Sequence, residues 1–469
     1  MSALSASEST AARVAERIRA PEPWEVFAER SRRYEVHLNG TVVELIRGPI
    51  VVEGYGIRLL RSREGQTGRG FQASTDLSDA GVRAAVDVAE RVAQHSVFPA
   101  KDVALPSGSS PGGPSIELVD ADLWTNPMGT LDRFVAALTS GFEGRPNELL
   151  SFGSVRGALH ETSIANSSGL RVAYRHTEVE YEAAVKGIGG PEGPPPGEYW
   201  VNGSSRKVED RKVTEEVPRW CTYAQDVRRA VGPPTGDLPI VLPPSVLSTI
   251  LPIVLGVRLS GGARLRQMAP TPGAAIAAES VTIYDDGRYP WAEGSAPVDD
   301  EGTPRSRRPL VRDGKVGDLL YDALHGAAFN TPSTGSASRV GGAGLRIPQR
   351  FLRAPTPTTS TIVVEAGTGG TDAELVEAAG EGIWVQQLGW AFPDPLSGAF
   401  GGEIRIGYRI RGGKLAEPVR GGTVGGIVMA PPGETSMLTS IAAVGSTAEL
   451  CGELATPSIL VRPLVVAGE

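Results

Sequence analysis

Residues 281–322 read VTIYDDGRYPWAEGSAPVDDEGTPRSRRPLVRDGKVGDLLYD. Short apolar runs at Val281–Tyr284, Leu310–Val311 and Gly317–Tyr321 alternate with the turn sequences Asp285-Asp286-Gly287 and Asp313-Gly314. Apolar runs of this length, bounded by Asp and Gly, are typical of short strands joined by tight turns. The stretch therefore predicts a β-rich domain rather than a helical one.

Similar runs continue towards the C-terminus. Further strands are predicted at Thr361–Glu365, Gly382–Leu388, Glu403–Ile410 and Ile459–Val466. Between them, residues 363–379 fit a strand, a Gly-Thr-Gly-Gly turn and a helix capped by Thr371 or Asp372. A phosphate-binding loop is the alternative, but its glycine spacing and Gly-Lys-Ser ending are missing. We expect residues 237–469 to form a curved, largely antiparallel, barrel-like domain.

Upstream of this domain, strand and helix patterns alternate, which predicts an N-terminal α/β portion and an α+β chain as a whole. A Pro/Gly/Ser-rich linker at residues 101–115 separates a block at residues 1–100 from a second block at residues 116–236. Predicted strands are Tyr34–Leu38, Val42–Ile46, Gly56–Leu60, Gly68–Ala73, Ser151–His160, Glu161–Asn166, Leu170–His176 and Thr177–Lys186. Predicted helices are residues 9–20, a segment from Asp76 or Ser78 to about Ala93, Leu131–Phe142, and Glu209–Val231 with an interruption at Pro218.

Composition excludes several classes of protein. The chain has 469 residues and a formal net charge of -8, which argues against nucleic acid as the main partner. Its two cysteines, Cys221 and Cys451, allow at most one disulfide, which favours a reducing compartment. The first thirty residues contain no apolar stretch of signal-peptide length. We therefore expect a cytoplasmic protein.

The most apolar segment, residues 238–259, contains Pro243, Pro244 and Pro252 among its apolar residues. Proline and hydroxyl residues inside it argue against a membrane span. A buried strand at Pro239–Leu242 followed by an apolar helix is predicted instead.

Four blocks of the sequence resemble the TldD/PmbA family. They are residues 65–92, the segment LHETSIANSSGLRVAY at residues 159–174, residues 284–339 and the final ATPSILVRPLVVAG at residues 455–468. The third block is the most specific, because it joins Asp-Asp-Glu-Gly-Thr-Pro to a basic stretch, a strand, Leu-Tyr-Asp and Ser-Thr-Gly-Ser-Ala-Ser-Arg. The resemblance spans roughly residues 35–468.

The resemblance implies a heterodimeric peptidase that acts on unfolded or leader-type peptides. One subunit, TldD-like, binds zinc through a His-Glu-x-x-x-His motif, and the other, TldE-like, completes the peptide chamber without it. In the family the motif lies on the helix after a Leu-Pro-Pro strand. Here that stretch, residues 244–259, contains no His, Glu, Asp or Cys. The chain is therefore identified as TldE-like, with no metal site or cofactor of its own and with zinc in the partner.

Other metal ligands are also sparse. The five histidines are His37, His95, His160, His176 and His325, and the nearest two lie 16 residues apart. The family's TldD-type subunits supply a cysteine ligand near the C-terminus, and Cys451 lies in that region. Without histidines beside it, Cys451 is interpreted as a small, partly buried apolar residue.

Candidate substrate contacts lie in the third block. We predict that Asp299, Asp300 and Glu301 line the chamber, although a solvated turn is the alternative. Arg305 is a candidate to receive a peptide carboxylate, although structural pairing with the acidic turn is the favoured alternative. The polar, Gly-containing segment Ser333–Arg339 suits presentation of backbone N–H groups to an extended peptide, with Ser333, Thr334 and Arg339 as its candidates.

Three functions remain open from the sequence. The first is a zinc-free partner subunit with no catalytic residue of its own. The second is a stand-alone, metal-independent enzyme that uses acidic residues on a peptide-derived natural-product intermediate. The third is a peptide-binding scaffold. A serine-hydrolase pattern at residues 108–112 lies in the linker, which is the wrong context for that chemistry.

Overall fold

A computed structural model describes residues 7–108, 116–189, 193–340, 349–389 and 391–468. Residues 109–115, which hold the second part of the linker and most of the serine-hydrolase pattern, lie outside the described residues.

The N-terminal half is built on one antiparallel sheet of seven strands, in the order β4-β3-β2-β1-β5-β6-β7. The strands are β1 (Trp24–Asn39), β2 (Val42–Arg63), β3 (Gln66–Ser74), β4 (Val97–Phe98), β5 (Glu148–Asn166), β6 (Arg171–Gly187) and β7 (Gly197–Ser205). Because β1 pairs with β5, strands from residues 1–100 and 116–236 hydrogen bond within the same sheet.

The strands are longer than the sequence predicted. The four strands expected between residues 151 and 186 are two, β5 and β6, and the two expected between residues 42 and 60 are the single strand β2. Polar residues such as His160 and His176 were taken as strand ends, but both are buried within continuous strands. The division was wrong because these polar side chains find partners inside the fold.

Helices cover parts of this sheet. They are α1 (Thr10–Ala15), α2 (Asp79–His95), α3 (Ala121–Thr125), α4 (Pro127–Ser140) and α5 (Asp210–Arg229). Ser78 caps α2 by accepting a hydrogen bond from the Gly81 N–H group, as its position predicts. The expected interruption of α5 at Pro218 was wrong, since the helix continues through that residue. Its buried apolar face, which includes Val217 and Trp220, packs against the sheet and holds the helix together.

The C-terminal half is β-rich, as predicted. Its strands are β8 (Gly236–Leu242), β9 (Ile283–Asp286), β10 (Arg307–Arg312), β11 (Lys315–Val316), β12 (Ala337–Ser338), β13 (Thr356–Pro357), β14 (Ile362–Val364), β15 (Gly382–Gly389), β16 (Ala399–Arg411), β17 (Lys414–Val419), β18 (Thr423–Ile427), β19 (Ile441–Val444), β20 (Glu449–Cys451), β21 (Leu454–Thr456) and β22 (Ile459–Ala467). Strands β15, β8, β22, β18 and β16 follow one another, and pairing of β15 with β16 closes them into a five-stranded barrel. The predicted curved, barrel-like α+β architecture is confirmed.

A second sheet lies beside the barrel, in the order β11-β10-β9-β14-β21-β20. The strand expected at Gly317–Tyr321 was wrong: only Leu320 makes an isolated bridge there, to Ser260. The helices of this half are α6 (Pro244–Leu247), α7 (Leu251–Arg258), α8 (Gly261–Leu265), α9 (Ala323–Ala328) and α10 (Asp372–Ala379), with a 3-10 helix at Arg350–Leu352. Thr371 caps α10 within a capping box, as one of the two predicted capping residues.

The apolar segment after β8 forms two short helices, α6 and α7, rather than one. Both contribute buried residues to the large C-terminal core. None of the helices within the described ranges has the length and apolar character needed to cross a membrane.

The two halves meet across one face of the N-terminal sheet. Side chains alternate between the two faces of a strand, so Glu25, Phe27 and Glu29 of β1 share a face. Phe27 packs there with Val298 and Phe351 of the C-terminal half. This junction buries most of the candidate residues of the acidic block.

Candidate functional site

Asp299 holds the acidic turn in shape. Its Oδ1 atom accepts hydrogen bonds from the N–H groups of Glu301 (3.0 Å) and Thr303 (2.8 Å). Its Oδ2 atom accepts one from the N–H group of Ala337 on β12, at 3.0 Å. One carboxylate therefore fixes the turn and ties it to β12.

Asp300 and Glu301 point from this turn towards the N-terminal sheet. Asp300 Oδ2 accepts a hydrogen bond from the Arg339 N–H group (2.6 Å), and its Oδ1 atom lies 3.3 Å from Arg350 Nη1. Glu301 Oε1 lies 2.6 Å from Arg58 Nη1, and Oε2 accepts from the N–H group of Ala323, at the start of α9, at 2.8 Å. Both carboxylates thus join elements that are distant in the sequence.

Arg58 and Arg339 share the carboxylate of Glu25. Arg58 Nη2 lies 2.8 Å from Glu25 Oε2, and Arg339 Nη2 lies 2.6 Å from Glu25 Oε1. The Arg339 guanidinium also lies 4.8 Å from the centre of the Phe27 ring, within cation–π range. All of these charged side chains are buried, so each depends on its partners for the solvation it has lost.

A second branch of the junction centres on Arg350. Its Nε atom lies 3.4 Å from Glu29 Oε1, and its Nη2 atom donates to Thr162 Oγ1 at 2.8 Å. Glu29 Oε1 also lies 3.1 Å from His160 Nδ1. We call the whole set the junction cluster; it comprises Glu25, Glu29, Arg58, Asp299, Asp300, Glu301, Arg339 and Arg350.

The carboxyl groups of the cluster differ in acidity. Burial raises the pKa of Asp299 to about 7, even though Arg305 and three backbone N–H groups favour the charged form. Burial raises the pKa of Glu301 to about 8 against the pull of Arg58, with Asp322 and Glu25 adding repulsion. Burial also opposes ionisation of Glu29, but Arg350 and His160 outweigh it and lower the pKa of that group to about 2. Glu29 is therefore the firmly charged carboxylate among these three.

The remaining predicted residues lie around this cluster. Arg305 is buried and donates from Nε to the Val298 carbonyl at 3.4 Å. Ser333 and Thr334 are half-buried, and both hydroxyls donate to the Tyr321 carbonyl, at 3.2 and 3.0 Å. The structure thus brings Asp299, Asp300, Glu301 and Arg339 into one cluster and places the other three beside it. Their contact with a substrate stays a prediction.

A buried Asp–His pair adjoins the cluster. Asp322 Oδ1 lies 2.7 Å from His325 Nδ1 and accepts the His325 N–H at 2.7 Å, so it orients the ring from the start of α9. Such a pair has the first two parts of a proton-transfer relay. Neither residue was singled out by the sequence as a candidate.

Comparison with known proteins adds the family. Residues 235–468 match the model described as the PmbA/TldA metallopeptidase C-terminal domain. The C-terminal half of this chain belongs to the PmbA/TldD family. A curated relative, the metalloprotease TldD homolog of Haemophilus influenzae, is 25% identical over 227 residues, which are 48% of this chain and 45% of that protein. The chain spans about half the length of the curated relatives it matches.

Solved structures extend the likeness to the N-terminal half. TldE from Thermococcus kodakarensis superposes with a TM-score of 0.76 at 19% identity, covering 99% of this chain and 100% of that one. A putative modulator of a DNA gyrase from Thermotoga maritima gives a TM-score of 0.76 at 17% identity, covering 95% and 96%. At such identities the likeness concerns the fold, and it shows that both halves share the arrangement of these proteins.

Within the PmbA/TldD-family domain, the segment after β8 (residues 244–259) consists mainly of apolar residues. Leu251, Val254 and Leu255 of α7 are fully buried in the core. Arg258 ends the helix, and its Nη1 atom donates to the Leu396 carbonyl at 2.7 Å. A guanidinium has no lone pair to offer a metal ion, so nothing between residues 244 and 259 supplies a ligand of the usual types.

The two cysteines have inert surroundings. Cys221 lies on the buried face of α5, in the core between that helix and the sheet, and both thiols are free. Burial raises the pKa of Cys451 to about 12, so its reactive thiolate form is scarce at neutral pH. This agrees with the interpretation of Cys451 as a small, partly buried residue.

The sequence missed a group of side chains of metal-ligating types in the N-terminal half. Within the described ranges, Glu29, His160 and His176 bring one nitrogen or oxygen atom each to within 4.8 Å of one another. The histidines were set aside because 16 residues separate them. Counting from the Asn-Ser-Ser-Gly turn at residues 166–169 would have found them, since both lie eight residues from residue 168 on paired strands.

A cavity of about 430 Å³ lies away from the junction cluster, beside α5. Arg145, Glu148, Cys221 and Gln225 are among its lining residues. It contains none of the predicted substrate contacts, so we assign it no part in the site.

The shifted carboxyl groups predict a pH-dependent stability. The pKa of Glu301 in the folded state lies above its usual value, so the protonated group stabilises the folded state. This stabilisation is fully present at a pH below the usual pKa and is lost as the pH rises through about 8. We expect the melting temperature to fall between pH 6 and pH 9 and Glu301→Gln to flatten that fall, by the equivalent of about 1–3 kcal/mol. Thermal unfolding followed by circular dichroism across this range measures it.

The matched control is Glu403→Gln, which changes a half-exposed carboxylate paired with Arg405 at 3.5 Å. This substitution should leave the dependence of the melting temperature on pH the same as in the wild-type chain. If Glu301→Gln keeps the full wild-type slope between pH 6 and pH 9, the buried carboxyl is not its source.

Proposed function

We propose that this chain is a TldE-like subunit of a heterodimeric peptidase and holds no catalytic zinc in its C-terminal domain. Its partner would be a TldD-like subunit that carries His-Glu-x-x-x-His and supplies the zinc and the activated water. This chain would contribute walls of the peptide chamber, and the substrates would be unfolded or leader-type peptides. Two free cysteines are compatible with a cytoplasmic setting.

One observation carries the proposal. The chain has a C-terminal domain of the metallopeptidase type, yet residues 244–259, where the resemblance locates the zinc motif, contain no His, Cys, Asp or Glu. Catalytic zinc requires about three such ligands and an open position for water. A domain with this fold and without these ligands is suited to assist a metal-bearing relative.

The exposed end of the β1–β2 hairpin supports an association with another chain. In β2, Val42, Ile46 and Val51 are 68%, 57% and 51% exposed. Strand β3 pairs with β2 only from Tyr55 onwards, so residues 42–51 have β1 on one side and no strand among the described residues on the other. An open edge with apolar side chains is a typical protein–protein contact.

The junction cluster gives less support to a stand-alone enzyme. The carboxylate oxygens of Asp299 and Asp300 already accept backbone N–H groups or face a guanidinium, and Glu301 is held by Arg58 and Ala323. Groups engaged in this way are well placed to organise the turn. Acid–base chemistry on a substrate would require one of them to be released.

The test is to mix the chain with a TldD-like subunit and follow cleavage of an unstructured, fluorescently labelled peptide. We expect the mixture to cleave several-fold faster than the TldD-like subunit alone, because the chamber is complete only in the pair. Mutation of the first His of the partner's motif should abolish the activity. Unchanged cleavage on mixing would contradict the proposal, as would turnover by this chain alone that resists a chelator.

A further inference from the structure

Three buried side chains with metal-binding atoms converge on the N-terminal sheet. Glu29 lies on β1, His160 on β5 and His176 on β6, which are adjacent strands. His160 is paired directly with His176, and Glu29 is paired with Thr162, two residues along β5 from His160. Their ligand atoms all lie within 4.8 Å of one another.

Glu29, His160 and His176 already contact one another in the structure. Glu29 Oε1 lies 3.1 Å from His160 Nδ1, and the two imidazole rings stack with centroids 4.5 Å apart and planes inclined by 3°. His160 Nε2 is buried and has no hydrogen-bond partner among the described residues. The nearest carboxylate, that of Glu178, lies 3.5 Å away. A buried polar nitrogen without a hydrogen bond is costly, and coordination of a cation would remove that cost.

We propose that Glu29, His160 and His176 form a binding site for one divalent transition-metal ion, with Glu178 in reach as a fourth ligand. Two imidazoles and one or two carboxylates suit Zn²⁺ and its neighbours Co²⁺ and Ni²⁺. Mg²⁺ and Ca²⁺ prefer ligand sets made of oxygen atoms, so they are poor matches. The site lies on the N-terminal sheet and does not involve residues 244–259.

Binding requires a defined rearrangement of the side chains. Zn–N and Zn–O distances of about 2.0–2.2 Å keep two ligand atoms of one ion within roughly 4.2 Å of each other. The ligand atoms of Glu29, His160 and His176 are spread over as much as 4.8 Å, which exceeds this distance. In addition, the lone pair of an imidazole nitrogen lies in the plane of its ring. Parallel rings therefore have to tilt towards each other, which side-chain torsions allow while the strands stay paired. Loss of the imidazole stacking is a specific consequence of the proposal.

The neighbouring guanidinium sets the strength of the site. Arg350 lies 3.4 Å from Glu29 and competes with an ion for that carboxylate. Arg350 also contacts Asp300 and Thr162, so it keeps partners when Glu29 turns towards a metal. A bound ion would link β1, β5 and β6 at the face that meets the C-terminal half, which is a structural role.

The experiment uses the full chain alone, stripped with a chelator and titrated with Zn²⁺ by calorimetry and with Co²⁺ by visible absorption. We expect one ion per chain, and His160→Asn and His176→Asn should each weaken binding by on the order of 100-fold. His325→Asn is the matched control, because His325 is equally buried but is held by Asp322. It should bind Zn²⁺ like the wild-type chain.

A second measurement does not depend on the variants folding. Imidazole nitrogen NMR of the wild-type chain should show Zn²⁺ shifting two histidines out of five, with the stacked pair losing its mutual ring-current shift. No binding by the wild-type chain, or equal binding by folded His160→Asn and His176→Asn, would overturn the site. Activation of a TldD-like partner is measured separately, and the two histidine variants should retain it, so either proposal can fail without the other.

Discussion

Replacing Arg58 with methionine is expected to lower the free energy of unfolding by about 3–5 kcal/mol, since it removes one partner from a buried ionic network. Arg58 is almost fully buried and contacts Glu25 at 2.8 Å and Glu301 at 2.6 Å. Methionine fills a similar volume but leaves both carboxylates facing each other across the junction. Glu301, with a pKa of about 8, is largely protonated at neutral pH, so the main cost is that Glu25 stays buried with Arg339 as its remaining cationic partner. Urea denaturation followed by tryptophan fluorescence measures the change.

The control is Arg61→Met on the same strand. Arg61 is 43% exposed in its side chain and lies 3.9 Å from Glu22, a distance at which an exposed pair contributes little. Its replacement should cost less than about 1 kcal/mol. Equal effects of the two substitutions would mean that the junction cluster contributes no more to stability than a surface ion pair.

The sequence led to the C-terminal half of this cluster but not to its partners. The unusual run at Asp299, Asp300 and Glu301, with Arg339 further along, was found from its resemblance to the TldD/PmbA family. Glu25 and Arg58 were not, because they lie on β1 and β2, more than two hundred residues away. Their charges look like ordinary solvated strand residues until the tertiary fold buries them. The local sequence pattern therefore cannot predict the ion pairs that Arg58 forms with Glu25 and Glu301.

The fold class followed from the sequence for a different reason. Turn residues such as Asp313-Gly314 favour a particular backbone geometry, with positive φ, and so they mark strand ends. Polar residues inside a strand do not. His160 and His176 were taken as strand boundaries, since the contacts that bury them come from other strands and are not visible in the local sequence. The proposed metal-binding group was missed because 16 residues separate the two histidines.

Continuity of α5 through Pro218 follows the same physical rule. A proline removes one hydrogen bond from a helix, so the sequence alone predicts a break there. Val217 and Trp220 on either side of it are buried against the sheet, and their packing outweighs one missing bond. Tertiary burial thus overrode local propensity, both in the helix and in the long strands.

The second large effect is expected from Gly56→Ala in β2. A Cβ atom at residue 56 would lie 2.5 Å from the Phe351 carbonyl oxygen and 2.8 Å from the Phe71 ring. The first contact is with backbone, so the 3-10 helix at Arg350–Leu352 has to move, and with it the guanidinium that contacts Glu29 and Asp300. We expect a loss of about 1–3 kcal/mol in the free energy of unfolding. Urea denaturation measures it.

Gly401→Ala separates this close approach from the general effect of a new methyl group in a strand. Gly401 lies in β16, and a Cβ atom there meets nothing within 4 Å, so alanine should be neutral or stabilising by up to about 1 kcal/mol. A similar response to both substitutions would show that Phe351 is not seated firmly on β2. A loss confined to Gly56→Ala would mean that the missing side chain on β2 is what lets the Arg350 segment reach the sheet. The glycine would then be as necessary to the junction cluster as the charges themselves, because Arg350 has to lie within reach of Glu29 before any ion pair can form.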